Sequence, residues 1–200
     1  MISALYDGVF AMPSESRMTQ HLDPRSPWVI STHDLGKRPG TMRQMTLALP
    51  APADLGVDMI GVPKDAEVEL DLRLEAVMEG VLVSGTAHAP LAGECARCLD
   101  PMSSDLDVDL QELFFYSDED ASDEDSLLDG ELLDLEPTFR DAVVLALPLS
   151  PMCQEDCAGL CTECGVKLAE AGDDHRHEKI DVRWASLQGL MTENDNDQEK

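Results

Sequence analysis

The sequence predicts an α+β domain: an antiparallel β-sheet of four or five strands, one packed helix, and a Cys-rich segment shaped like a zinc ribbon. Three observations carry this. Apolar residues alternate with polar ones through much of 45–116. A single helical stripe follows Pro137. Six cysteines fall in two clusters, Cys95 and Cys98, then Cys153, Cys157, Cys161 and Cys164.

Residues 1–24 are polar and mixed, with Pro13, Ser14, Ser16 and Pro24, and read as a disordered N-terminal extension. Met18 within it is an alternative start. The domain proper is expected over 25–190. It opens with a locally basic island of Arg25, His33, Lys37, Arg38 and Arg43, unusual in so acidic a chain. The stretch Asp34-Leu35-Gly36-Lys37-Arg38-Pro39-Gly40 is punctuated as a loop. Lys37, Arg38 and Arg43 are its candidate contacts for RNA or another anion.

Met45, Leu47 and Leu49 begin the period-two pattern, and Val68, Leu70, Leu72 and Leu74 continue it. Glu79-Gly80 turns the chain into Val81–Ala87, an antiparallel hairpin. Pro90 and Gly93 break the pattern just before Cys95. Leu106, Val108 and Leu110 resume it, and Leu113-Phe114-Phe115-Tyr116 closes it. Such alternation puts one sheet face on a core and the other in water.

Residues 117–136 hold ten acids and no base, and read as an extended, mobile acidic loop, dispensable for folding. Pro137 then suits the first turn of a helix. Phe139, Val143, Ala146 and Leu147 share its stripe, and Pro148 stops it. The Cys-rich segment, 153–165, follows directly. Arg176 and Lys179 form a second small basic patch, and His175 and His177, two apart in a polar stretch, read as surface residues. Residues 191–200 are a polar tail.

The cysteines point to a metal. A Cys-x2-Cys turn aims two thiolates at one point, and two such turns supply the tetrahedral sulfur shell that zinc prefers. The first set to consider is Cys95, Cys98, Cys161 and Cys164, because Cys161-Thr162-Glu163-Cys164-Gly165 reads as a zinc knuckle. Cys153 and Cys157 are alternates, either with Cys95 and Cys98 or in a local cage with Cys161 and Cys164. An all-sulfur shell is closed, so the zinc is expected to be structural. Three disulfides are the rival use, but the N-terminus lacks the pattern of a secretory signal, which points to the cytoplasm and reduced thiols.

The formal net charge of -27 argues against tight, non-specific grip on a phosphate backbone. It fits a basic protein partner better. No Gly-rich phosphate loop, His-Glu-x-x-His motif or nucleophile–base pair stands out, so no catalytic residue is assigned and a non-enzymatic protein is expected. No apolar run is long enough to span a bilayer.

Taken jointly, several segments resemble the YceD family, the large ribosomal RNA subunit accumulation proteins of bacteria and plastids. They are Gly61-Val62-Pro63, Gly80-Val81-Leu82-Val83-Ser84-Gly85, Glu94-Cys95-Ala96-Arg97-Cys98-Leu99 and Gln111-Glu112-Leu113-Phe114. Distally, Ala146-Leu147-Pro148 runs on to Cys153, Cys157, Gly159-Leu160-Cys161 and Cys164-Gly165. The 34–40 stretch is similar to the actinobacterial-type variant, and the likeness spans roughly 28–190. The resemblance implies a part in accumulation of 23S ribosomal RNA, through assembly of the large ribosomal subunit. The partner would be a subunit precursor or a basic ribosomal protein, with RNA met indirectly or through the two basic islands. The alternatives are an RNA-processing enzyme acting on the large-subunit precursor, and an acidic chaperone for a basic ribosomal protein.

Overall fold

A computed structural model describes residues 21–122, 125–172 and 174–177. The described residues divide into two compact units, one within 21–92 and 103–148, the other within 93–102 and 149–177.

The first unit is built on four long strands: β2 (Met42–Pro50), β5 (Glu67–Ala76), β6 (Gly80–Glu94) and β7 (Pro101–Phe115). Strand β5 pairs antiparallel with β2 on one side, Leu47 opposite Leu70, and with β6 on the other, Leu74 opposite Val83. Strand β7 pairs with β6, and the short strands β3 (Gly56–Val57) and β4 (Ile60–Gly61) extend the same sheet. The alternation expected from the sequence is present. Val68, Leu70, Leu72, Leu74 and Ala76 are buried, and Glu67, Glu69, Asp71 and Arg73 between them are exposed.

Helix α1 (Glu136–Ala146) carries Pro137 in its first turn, where a missing N–H costs nothing. Its buried residues are Phe139 and Val143, at the i, i+4 spacing that places side chains on one face. Leu147 is already extended, as the residue before Pro148 must be. Trp28 stacks on Phe139 with ring centroids 4.6 Å apart, and its indole N–H donates to the Pro50 carbonyl at 3.0 Å. Arg140 donates to the carbonyls of Ala53 and Asp54, tying the helix to the loop after β2.

The acidic segment corrects the sequence expectation. Its latter part is folded: β8 (Ser126–Leu127) lies parallel to the end of β7, and β9 (Leu132–Asp134) pairs antiparallel with β1 (Val29–Ser31). Leu133 and Leu135 are fully buried. The carboxylates of this stretch stay at the surface while alternate leucines turn inward. A two-residue period too short to register against so many acids is thus still a strand.

The second unit consists of the turn between β6 and β7 and the chain from Leu149 onward, including the single-turn helix α2 (Leu168–Ala171). Among the described residues no helix is long and apolar enough to cross a membrane. Residues 1–20 of the 1–24 extension and the polar tail lie outside the described residues, and the described end of that extension is tied down by the Leu22 N–H, which donates to the Asp129 carboxylate at 2.9 Å.

Candidate metal centre

Two knuckles of the same backbone design lie in the second unit. In the first, the Leu99 N–H donates to the Cys95 carbonyl at 2.9 Å, and the Cys95 N–H donates to the Asp100 carbonyl at 2.9 Å. In the other, the Gly165 N–H donates to the Cys161 carbonyl at 2.8 Å, and the Cys161 N–H donates to the Val166 carbonyl at 2.8 Å. The residue after each second cysteine is left-handed: Leu99 has φ 59° and Gly165 φ 71°. Glycine takes this conformation freely. No atom lies near the position a Gly165 Cβ would occupy, so it is the backbone angle rather than space that calls for glycine there.

The first knuckle meets Cys153 and Cys157. The Ala96 N–H donates to the Pro151 carbonyl at 2.7 Å, and the Arg97 guanidinium to the Cys157 carbonyl at 3.0 Å, which holds residues 151–157 against the knuckle. Cys95 Sγ is then 3.8 Å from Cys157 Sγ, and Cys98 Sγ is 3.7 Å from Cys153 Sγ. A tetrahedral shell with metal–sulfur bonds of about 2.3 Å has sulfur–sulfur edges of about 3.8 Å. Cys95, Cys98 and Cys157 are buried and Met102 packs on them, whereas Cys153 is exposed. Asp100, beside the knuckle, accepts from Lys167 at 2.5 Å. All six cysteines are free thiols.

The electrostatics of this cluster set one thiolate against its neighbours. The backbone amides of Cys98, Cys153 and Arg97 lower the Cys95 thiol to about 6. The Asp100 amide also favours a Cys98 thiolate, but burial and the neighbouring sulfurs of Cys95, Cys157 and Cys153 outweigh it and push Cys98 up to about 12. Cys153 is raised as well, by Cys157 first and then by burial. One thiolate forms readily and opposes the others. A divalent ion at the centre would remove that opposition, because a metal-bound thiol is deprotonated.

Cys161 and Cys164 do not join Cys95 and Cys98, contrary to the pairing placed first from the sequence. They stand instead with His175 and His177, and the four ligand atoms lie within 4.8 Å of one another. Cys164 Sγ is 3.5 Å from His175 Nε2, and the two Nε2 atoms are 3.0 Å apart. The sequence by itself assigns these histidines to the surface. Its available signal was a His-x-His eleven residues beyond a Cys-x2-Cys-Gly knuckle, hidden by the polar residues around it.

The first basic island is partly consumed by the fold. Arg43 donates to Asp34 at 3.0 Å and to the Ser31 carbonyl at 2.8 Å, bracing β2 against the loop before it. Lys37 sits over the Tyr116 ring, 4.8 Å from its centroid. Arg38 and Arg176 are exposed. Lys179 lies outside the described residues.

A family model described as "Large ribosomal RNA subunit accumulation protein YceD" matches residues 83–191, more than half the chain and both cysteine clusters. The chain belongs to the YceD family. Relatives of this family member are found in mycobacteria. An uncharacterized protein of Mycobacterium tuberculosis is 48% identical over 172 residues, covering 83% of this chain and 82% of its own. One of Mycobacterium leprae is 38% identical over 198 residues, covering 94% and 90%. No solved structure matches the chain.

Proposed function

We propose that this protein is a non-enzymatic assembly factor of the cytoplasm that promotes accumulation of large-subunit ribosomal RNA. The observation that carries the reading is the family match across the β6–β7 hairpin and the Cys-rich segment. The surface supports a basic partner over naked RNA. Glu69 pairs across the sheet with His88, and His88 in turn with Asp107, so these side chains share one face. The exposed residues Glu67, Glu69, Asp71, Asp105, Asp107 and Asp109 make that face strongly acidic. A basic ribosomal protein, or RNA already coated by one, complements it, and opposite charge speeds the encounter.

Structural zinc at Cys95, Cys98, Cys153 and Cys157 belongs to this reading. The Cys95–Cys157 and Cys98–Cys153 separations match the edges of a tetrahedral sulfur shell, and a shell of four thiolates would be closed, with no position for substrate, which suits a scaffold. The shell would join the knuckle of Cys95 and Cys98 to the segment that carries Cys153 and Cys157, so the metal's binding free energy would also be folding free energy.

Gradient sedimentation of cell extracts tests the reading. The protein should co-migrate with large-subunit precursors and leave them as salt rises, and cells lacking it should lose large-subunit RNA relative to small-subunit RNA. Unchanged RNA levels with no co-migration would overturn it. Cleavage of precursor RNA by the purified protein alone would replace it with the enzymatic alternative. Tight binding to naked RNA that is lost in a Lys37→Ala/Arg38→Ala variant would replace the partner-mediated route with a direct one.

A further inference from the structure

We infer that the chain holds a second metal ion, of the zinc class, at Cys161, Cys164, His175 and His177, separate from the four-cysteine centre. The inference stands independently of the ribosomal reading.

The first support is the knuckle. The Cys161–Val166 turn repeats the Cys95–Asp100 turn hydrogen bond for hydrogen bond, including the left-handed residue after the second cysteine. A turn that aims two sulfurs at one point in the first case does so in the second. The antiparallel bridge between Leu160 and Lys167 closes the base of the turn, and the Leu168 N–H donates to the Gly159 carbonyl at 2.9 Å.

The second support is the donor geometry. With metal–sulfur bonds of about 2.3 Å and metal–nitrogen bonds of about 2.0 Å, a tetrahedral shell has sulfur–nitrogen edges of about 3.5 Å and nitrogen–nitrogen edges of about 3.3 Å. The Cys164–His175 separation is 3.5 Å and the His175–His177 separation 3.0 Å. Two thiolates with two imidazoles form a closed set that zinc fills in structural sites.

The third support is the lack of an apolar core in this segment. Of the described residues from Leu160 to His177, none is buried, and α2 has no buried residue. A stretch with no apolar core, turned through left-handed Gly165 and Gly172, is what a metal organises where hydrophobic burial cannot.

The ligands of this second centre are exposed or half-buried, whereas three of the four in the first are buried. The second ion should therefore be the more accessible to a chelator. The two centres also differ in charge. Zinc with four thiolates carries a net -2, while zinc with two thiolates and two neutral imidazoles is neutral.

The test is metal content and cobalt spectroscopy of the full-length protein purified reduced. Two equivalents of zinc are expected, leaving in two phases on addition of EDTA. The cobalt-substituted protein should show both an all-sulfur site and one of two sulfurs and two nitrogens. His175→Asn/His177→Asn should retain one equivalent and only the all-sulfur spectrum, and Cys153→Ser/Cys157→Ser only the mixed one. A single equivalent in the unaltered protein with a purely all-sulfur spectrum would overturn the inference, whatever the variants do. So would a spectrum of the unaltered protein that the His175→Asn/His177→Asn variant reproduces in full.

Discussion

Leu99 and Gly165 occupy the same place in two turns of the same design, yet only one of them is glycine. Leu99 is left-handed at φ 59° and 52% exposed, so it bears a backbone penalty with little packing in return. A left-handed non-glycine residue costs roughly 1–2 kcal/mol, against which glycine loses about 0.5–1 kcal/mol through the unfolded chain. Leu99→Gly is expected to stabilise the first knuckle by about 0.5–1 kcal/mol, and Gly165→Leu to weaken the other by a similar amount. Thermal unfolding of the metal-loaded protein measures both. The pairing of Cys95 with Cys153 and Cys157 was beyond what the sequence could decide. Spacing identifies a Cys-x2-Cys turn, but the partner depends on contacts such as Ala96 to Pro151 that no local pattern encodes.

His88 gives a pH dependence at the same scale. Its hydrogen bond to Asp107 raises the imidazole above its ordinary 6.5. The protonated form is thus favoured by the folded state. That contribution is complete below pH 6.5 and is lost as pH rises through the raised value. His33, raised by Glu131, acts in the same direction. Urea unfolding on either side of that window should show stability falling with pH, and the fall should be smaller in His88→Gln.

The elements divide by how much of their pattern is local. Strand β5 was legible because its alternation leaves one face continuously apolar, whereas β6 was legible only as far as Ala87, since Pro90 and Gly93 disguise a strand that runs on to Glu94. Helix α1 was legible from Pro137, Pro148 and the Phe139–Val143 spacing. Strands β1 and β9, three residues each, were not, because their stability lies in each other and in the burial of Ile30, Leu133 and Leu135. Strand β9 stands in an acidic stretch that hides its inward-facing leucines. Leu133→Ala should cost about 2–5 kcal/mol, the range for a fully buried leucine. Leu145→Ala, on the exposed side of α1 at 86% exposure, should stay within about 0.5 kcal/mol. Chemical denaturation distinguishes the two, and equal small effects would restore the view of 117–136 as a solvated loop.

The net charge of -27 acts on the whole molecule. Self-repulsion among carboxylates on one sheet face opposes compaction, and salt screens it over about 10 Å at 0.1 M. Raising salt should therefore increase the melting temperature of the isolated protein while weakening its hold on a basic partner. Opposite responses to one variable, read by calorimetry and by co-sedimentation, separate an electrostatic interface from an apolar one, which would persist. Acidity itself was legible from composition, but its concentration on the face of β5 and β7 required the register that places Glu69, His88 and Asp107 side by side.

Cys95 and Cys157 lie 62 residues apart, whereas Cys164 and His175 are separated by only 11. A growing polypeptide lengthens by about 5–20 residues per second. Several seconds thus pass between the appearance of the first knuckle and that of the sulfurs that complete it. Through that interval Cys95 and Cys98 are a half-made cage, open to oxidation or to capture of a stray ion by two ligands. The shorter separation closes almost as soon as it is synthesised. Birth order along the nascent chain therefore makes the early pair the vulnerable one, and a cell short of zinc should lose this protein through unfinished first knuckles before it loses finished molecules.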